Sequence, residues 1–223
     1  MTTEARYDDV ADWYDATLSG DSPLAAMPRE TALRLLGPPG GRLLDVGCGG
    51  GAHTAAFAAD GWETVGIDVS EAQLRLARER GCVVVRGRAE SLPFEDASFD
   101  AVVSLWTHTD VNDWPAAVGE IRRVLRPAGP FVYVGVHPCF VGPHSLFVEG
   151  KGVPDLHAGW YRRPGRYDEA PGISPTGLRA RVGATHLPLA EFLHSFIDAG
   201  FRLEHVEEPG ARDFPIAIAL RCR

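Results

Sequence analysis

The chain has 223 residues, 45% of them apolar and 23% charged, with 22 basic residues against 30 acidic ones and a net charge of -8. That length suits one domain with a modest insertion, the apolar fraction supplies a sizeable core, and wholesale disorder is excluded. Scattered cations on a negative chain repel a phosphate backbone, so nucleic acid is not an expected partner. Cys48, Cys82, Cys139 and Cys222 show no C-x-x-C spacing, which argues against zinc and a disulfide framework and for a cytoplasmic protein. No apolar run approaches the roughly 18 residues of a membrane span, and a soluble protein, monomeric or homodimeric, is expected.

Residues 1–37 read as N-terminal cover helices, and strand-like runs then alternate with helical patterns from 42 to 136, the signature of parallel strands joined by crossover helices. The first strand is 43–46. An Ala-rich helix over 52–60 is stopped by Gly61, and a second strand follows at 64–67. Ser70 with Gln73 forms a capping box for a helix ending before Gly81. Strands at 82–85 and 101–105 are nearly continuous in apolar character and are expected to be central and buried. Asp113 caps a helix whose buried stripe includes Ala117, Ile121 and Leu125, and the turn 127–130 leads into a fifth strand at 131–134. Residues 137–185 lose all sustained period, a length that suggests a functional lid. A helix over 189–199 stopped by Gly200 and two strands near 202–207 and 214–221, paired antiparallel, complete the chain.

The chemistry is concentrated in Leu43-Leu44-Asp45-Val46-Gly47-Cys48-Gly49-Gly50-Gly51, a strand running through glycines into a helix. Glycines let the backbone turn sharply and approach a ligand, and the helix start adds unpaired N–H donors. Asp45 stands directly before the glycines, where it repels a pyrophosphate and attracts an ammonium group. Asp68 ends the next strand, 21 residues after Gly47, where a carboxylate accepts hydrogen bonds from ribose hydroxyls. The ligand expected from these residues is a nucleoside carrying a cationic amino acid.

On these residues the chain resembles the class I S-adenosylmethionine-dependent methyltransferases, in the small-molecule branch related to the ubiquinone and menaquinone methyltransferases. V-G-I-D-V-S at 65–70, A-E-S-L-P-F-E-D-A-S-F-D-A-V-V at 89–103 and R-V-L-R-P-A-G at 123–129 extend the match. The resemblance implies that Asp45, Gly47 and Gly49 cradle the amino-acid part of S-adenosylmethionine, that Asp68 holds the ribose, and that Val69 packs on the adenine. It also implies that Ala89 contacts the adenine edge through its backbone. Arg88 departs from the pattern, which has an aspartate bonded to the adenine amine there, and Glu90 is the candidate substitute. Tyr14, in Y-D-D-V-A-D-W-Y-D, matches an aromatic residue that closes over the cofactor near its sulfonium. Plain packing of a cover helix explains Tyr7, Trp13 and Tyr14 equally well.

Ser104 and Leu105 end the fourth strand and line the crevice by the general rule for open α/β sheets. Methyl transfer needs a base only if the acceptor starts protonated, and histidine is the residue for that task near neutral pH. His108, with Asp110 near enough to orient its ring, and His137, after the fifth strand, are the catalytic candidates. His186, Tyr161 and Arg163 are candidates for acceptor binding, the last two within a lid cluster that includes Arg162, Arg166 and Tyr167. His53, His194 and His205 fit structural roles, and the histidine spacing suggests no metal site.

The expected architecture is a doubly wound, seven-stranded and mostly parallel α/β sheet with an antiparallel last strand. Residues 1–37 cover it, 38–136 bind the cofactor, 137–185 form the lid and 186–223 complete the fold as one domain. The expected activity is methyl transfer from S-adenosylmethionine to a small molecule in bacterial specialised metabolism. The alternative is a protein of the same fold that binds the cofactor but does not transfer methyl or catalyses another reaction, and Asp45 disfavours a dinucleotide oxidoreductase.

Overall fold

The computed structural model describes residues 6–18, 23–147, 153–175 and 177–223. One sheet carries seven core strands: β1 (Arg42–Val46), β2 (Glu63–Asp68), β3 (Val84–Arg86), β4 (Ala101–Leu105), β5 (Phe131–Val136), β6 (Leu203–Glu207) and β7 (Ala217–Cys222). Their order across the sheet is β6-β7-β5-β4-β1-β2-β3. β7 runs antiparallel to both neighbours, and the other pairings are parallel. The strand order reverses between β1 and β4, the place where an open α/β sheet leaves a crevice at its carboxyl ends.

The helices are α1 (Ala11–Leu18), α2 (Pro23–Leu36), α3 (Ala52–Ala59), α4 (Glu71–Glu79), α5 (Trp114–Val124), α6 (Leu178–Val182) and α7 (Leu189–Asp198). On one face Ala32, Leu35 and Phe57, from α2 and α3, pack against Leu43, Val103 and Val134 of the sheet. On the other, Trp114 and Ile121 of α5 join Phe192 and Phe196 of α7 over Phe131 and Tyr133. With both faces covered, β4 and β5 are buried almost throughout, as their continuous apolar runs require. Among the described residues no helix is long and apolar enough to cross a membrane.

Two expectations about strands need correction. The third strand is an edge strand, half-exposed, rather than a central one. It also starts two residues later than its apolar run, because Gly81 and Cys82 finish α4: their N–H groups donate to Arg78 O at 2.9 Å and Ala77 O at 3.0 Å. The last strand starts at Ala217 rather than 214, and Pro215 in that stretch has no N–H for a ladder. Residues 137–185 hold more order than their pattern suggests. Ser145–Leu146 pairs with Asp155–Leu156, Gly165–Tyr167 pairs with Ala184–His186, and α6 lies between.

Candidate functional site

A cleft opens where β1, β2 and β4 end, enclosing about 1350 Å³ including its open mouth. Its floor is the glycine turn after β1. Gly47, Gly49 and Gly51 have φ of 76°, 51° and 79°, the left-handed region that glycine enters without strain. Gly47 N and Cys48 N donate to Ile67 O at 2.8 and 3.1 Å, pinning the turn to β2. A methyl group on Gly47 would lie 2.4 Å from Thr107 Cγ2, so the turn also closes against the loop after β4. Asp68, at the end of β2, accepts from Gly49 N and Ser70 N, each at 2.9 Å. Burial raises the pKa of its carboxyl, and those two N–H bonds oppose the rise.

Only half of the capping box at Ser70 forms. Ser70 Oγ accepts from Gln73 N at 3.2 Å, but Ser70 N is already committed to Asp68, so the Gln73 side chain does not reach back to it. Instead both polar atoms of the buried Gln73 amide lack a hydrogen-bond partner among the described residues. They line the cleft beside the glycine turn, with Oε1 3.2 Å from where a Cβ on Gly50 would stand. A buried amide without partners is costly. One that offers a donor and an acceptor beside this turn suits the carboxylate and ammonium of an amino acid.

Of the residues expected to hold the cofactor, Tyr14, Gly47, Gly49, Asp68, Val69, Ala89, Glu90 and Leu105 all line this cleft. Asp45 and Ser104 do not. Ser104 is buried inside the sheet and its hydroxyl donates to Val46 O at 3.1 Å. Asp45 lies beneath the turn, outside the lining, and accepts from Thr54 Oγ1 at 2.6 Å, so it anchors α3 to β1. Arg88 pairs with Glu90 at 3.2 Å, and both line the cleft.

Burial pushes the pKa of Asp45 up from 3.8 to about 7, against the hydrogen bond from Thr54. The folded protein therefore holds a proton there that the unfolded chain releases, and stability from this group is full below about pH 4 and falls as pH rises toward 7. Asp45→Asn, which keeps an acceptor for Thr54, should remove that slope. At about 1.4 kcal/mol per pH unit, the variant should be more stable than the parent by a few kcal/mol at pH 8 and nearly equal to it at pH 4. Urea denaturation at the two pH values measures both, and a parent-like slope in the variant would contradict the assignment.

The far wall of the cleft comes from the chain's first described residues and from residues 166–182. Tyr7 and Tyr14 meet edge-to-face, ring centroids 5.0 Å apart, and Asp8 Oδ1 fastens this segment to α4 by accepting from Ser70 Oγ at 2.5 Å and Ala72 N at 3.2 Å. Asp110 does not orient His108, as the sequence suggested. It pairs with Arg179 of α6 at 2.5 Å, and the same guanidinium donates to Thr109 Oγ1 at 2.8 Å. Burial disfavours the Arg179 cation, but the facing Asp110 carboxylate outweighs that and raises its pKa. Burial likewise raises the pKa of Tyr7 and Tyr14, with Asp110 adding to it. Gln73 and Arg179 were not identified as site residues from the sequence, and Asp110 was assigned to His108 instead of Arg179. The pairing of positions 110 and 179 has no local signal, whereas Gln73 was visible only as a capping residue.

The catalytic histidines proposed from sequence stand away from the cleft. His108 is buried among Trp114, Tyr133 and Phe192, and its Nδ1 meets the Tyr133 hydroxyl. Burial pushes its pKa down to about 3. His137 is turned toward β7: its N–H donates to Ile216 O, and its ring Nε2 lies 2.8 Å from a Glu208 carboxylate oxygen. Burial lowers its pKa and Glu208 opposes the shift. The three acceptor-binding candidates are also outside the lining. His186 Nε2 donates to Tyr161 O at 2.8 Å, Tyr161 Oη accepts from Leu189 N at 3.0 Å, and the exposed Arg163 stacks on Trp160 with its guanidinium carbon 4.9 Å from the ring centroid. These side chains stabilise the covering segment. No cluster of metal-ligating side chains occurs among the described residues.

Residues 44–133 match the family model described as a methyltransferase domain. The chain is 34% identical over 154 residues to the demethylmenaquinone methyltransferase of Renibacterium salmoninarum, a match spanning 65% of this chain and 63% of that protein. It is 42% identical over 103 residues to 24-methylenesterol C-methyltransferase 2 of Oryza sativa subsp. japonica, covering 42% of this chain and 28% of that one. Among solved structures, an S-adenosylmethionine-dependent methyltransferase from Mesorhizobium loti superposes with a TM-score of 0.73 at 24% identity, covering 90% of this chain and 99% of that one. The chain thus spans less than two thirds of the curated relatives, and the kinship is concentrated on the strands and loops that build the cleft. The stretch that builds the cleft is similar to a methyltransferase domain and to the demethylmenaquinone methyltransferases, and the chain shares its fold with the solved S-adenosylmethionine-dependent methyltransferase.

Proposed function

We propose that the chain binds S-adenosylmethionine in the cleft and transfers its methyl group to a small-molecule acceptor held under the covering segment. The observation that carries this reading is the alignment of three complementary features along one cleft: the unpartnered Gln73 amide beside the glycine turn, the Asp68 carboxylate at the end of β2, and Val69, Ala89 and Glu90 beyond it. They correspond in order to an amino acid, a ribose and a base.

When bound, S-adenosylmethionine supplies an electrophilic methyl on a sulfonium. The chain's own contribution is to fix both partners. Gln73 and the turn hold the amino-acid end, Asp68 accepts from the ribose hydroxyls, and Val69 and Leu105 give the base and linker an apolar wall. Tyr14 packs near the sulfonium, where a cation over a ring is favourable. The Asp110–Arg179 pair locks α6 down so that the acceptor side is screened from water. Alignment of the reacting atoms supplies much of the rate in such an in-line displacement. Among the described residues the one histidine lining the cleft is His53, and burial pushes its pKa down to about 4, too weak a base to hold a proton. We therefore assign the acceleration to alignment of an acceptor that is already nucleophilic, in place of a histidine base.

Calorimetry with S-adenosylhomocysteine should give a dissociation constant in the micromolar range, about -8 kcal/mol. Absence of binding heat on folded protein would overturn the cofactor assignment. Release of S-adenosylhomocysteine from S-adenosylmethionine on addition of a small-molecule panel then separates methyl transfer from binding alone.

A further inference from the structure

The charges around the cleft do not balance at its far end. Each carboxylate in the lining is engaged: Asp15 by Arg80 at 2.6 Å, Asp68 by two N–H groups, Glu90 by Arg88, and Asp110 by Arg179. Two further guanidinium groups line the same cleft and face no carboxylate among the described residues. Arg6 donates from Nη1 to Val182 O at 2.9 Å, and Arg166 donates from Nη2 to that same carbonyl. The Arg166 Nε is buried and has no hydrogen-bond partner. Two cations sharing one neutral carbonyl repel each other in a partly desolvated site, and a bound anion relieves that repulsion while accepting the free N–H.

Resting on the methyl-transfer reading above, we propose that the methyl acceptor is an aromatic carboxylate whose anionic group seats on Arg6 and Arg166. The methionyl carboxylate of the cofactor is the other anion available, but its end of the cleft is the glycine turn, where Gln73 stands free and Arg80 already donates to Gly50 O at 2.6 Å. Arg6 and Arg166 instead converge on Val182, at the end of α6, on the side where Arg179 holds Asp110. The rings of Tyr7, Tyr14 and Trp106 line the cleft and supply an apolar surface for a planar acceptor. Arginine suits this task because its planar fork meets a carboxylate through two parallel N–H bonds.

The test uses full-length protein saturated with S-adenosylhomocysteine and two matched probe pairs, benzoate against benzamide and 2-naphthoate against 2-naphthamide, with binding followed by calorimetry. At least one carboxylate should bind tenfold or more tightly than its amide. Arg166→Gln should abolish the preference, Arg6→Gln should weaken it severalfold, and Arg166→Lys should retain part of it. S-Adenosylhomocysteine affinity should stay within about twofold in all three variants. Equal affinities within both pairs, no detectable binding of any probe, or a preference that survives Arg166→Gln overturns the proposal. So does a tenfold loss of S-adenosylhomocysteine affinity in Arg166→Gln, which would assign that guanidinium to the cofactor. If the parent protein fails to bind S-adenosylhomocysteine, the cofactor reading falls separately, and the carboxylate preference is then decided on the unloaded protein.

Discussion

Arg179→Met is expected to lower stability by about 1.5–3 kcal/mol, the usual worth of a hydrogen bond to a charged group, because the pair is only partly buried. The variant leaves Asp110 facing Tyr7 and the apolar wall without its counter-ion and strips Thr109 of a donor. It also removes the side chain that ties α6 to the segment after β4, leaving the helix held at Val182 O by Arg6 and Arg166. Urea denaturation should show the midpoint falling with little change in slope if the whole fold loosens together. Should only the covering segment detach, faster hydrogen exchange across residues 153–186 would report it while the sheet stays protected. The double variant Arg179→Met with Asp110→Leu should recover more than half of the loss, since the isolated charge is gone. A single variant as stable as the parent, with unchanged exchange, would show that the pair holds nothing down.

Asp68→Ala is expected to weaken S-adenosylhomocysteine binding by roughly 1.5–3 kcal/mol, about 10-fold to 150-fold, because it removes a charged acceptor from two ribose hydroxyls. The carboxylate also organises the turn. Gly49 N and Ser70 N both lose their acceptor in the variant, so part of the loss arises from a less ordered cradle. Asp68→Asn separates the two effects: its carbonyl can accept one of those N–H groups, but the charge is absent. Calorimetry on the three proteins should rank parent above Asn above Ala. An Ala variant with parent affinity would place the ribose elsewhere in the cleft.

The features legible in the sequence share a physical reason, namely that local geometry and short-range chemistry produced them. β1, β4 and β5 were readable because a strand covered on both faces is apolar throughout, and the crossover helices because glycine stops and side-chain caps are local signals. Asp113 caps α5 through Ala116 N at 3.0 Å, as its position suggested. The glycine turn was readable because three left-handed residues in close succession admit little but glycine. Asp68 was readable because strand length and helix length fix where the second strand ends.

The errors occurred where a residue's surroundings come from distant parts of the chain. Asp45 and Asp68 share one face of the sheet, since Asp45 pairs with Gly66. Asp45, however, stops one residue short of the end of β1, where Thr54 of α3 takes its carboxylate, whereas Asp68 closes β2 at the cleft and is held by Gly49 N and Ser70 N. His108 and His137 follow strands β4 and β5, but a short helical turn rotates the first into the aromatic core, and the second is drawn to Glu208, 71 residues away in sequence. Arg6 and Arg166 meet only because the N-terminal segment and the covering segment converge on one carbonyl.

The sheet, the crossover helices, the glycine turn and the position of Asp68 at the end of β2 follow from the sequence, because pleat periodicity, capping and φ preference act over a few residues. Only the tertiary fold shows which charges pair: Asp110 with Arg179, while among the described residues Arg6 and Arg166 face no carboxylate and the Gln73 amide has no partner. Electrostatic and hydrogen-bond partners in a folded chain are chosen by proximity in space, and for these groups the chain closes that proximity across large sequence separations.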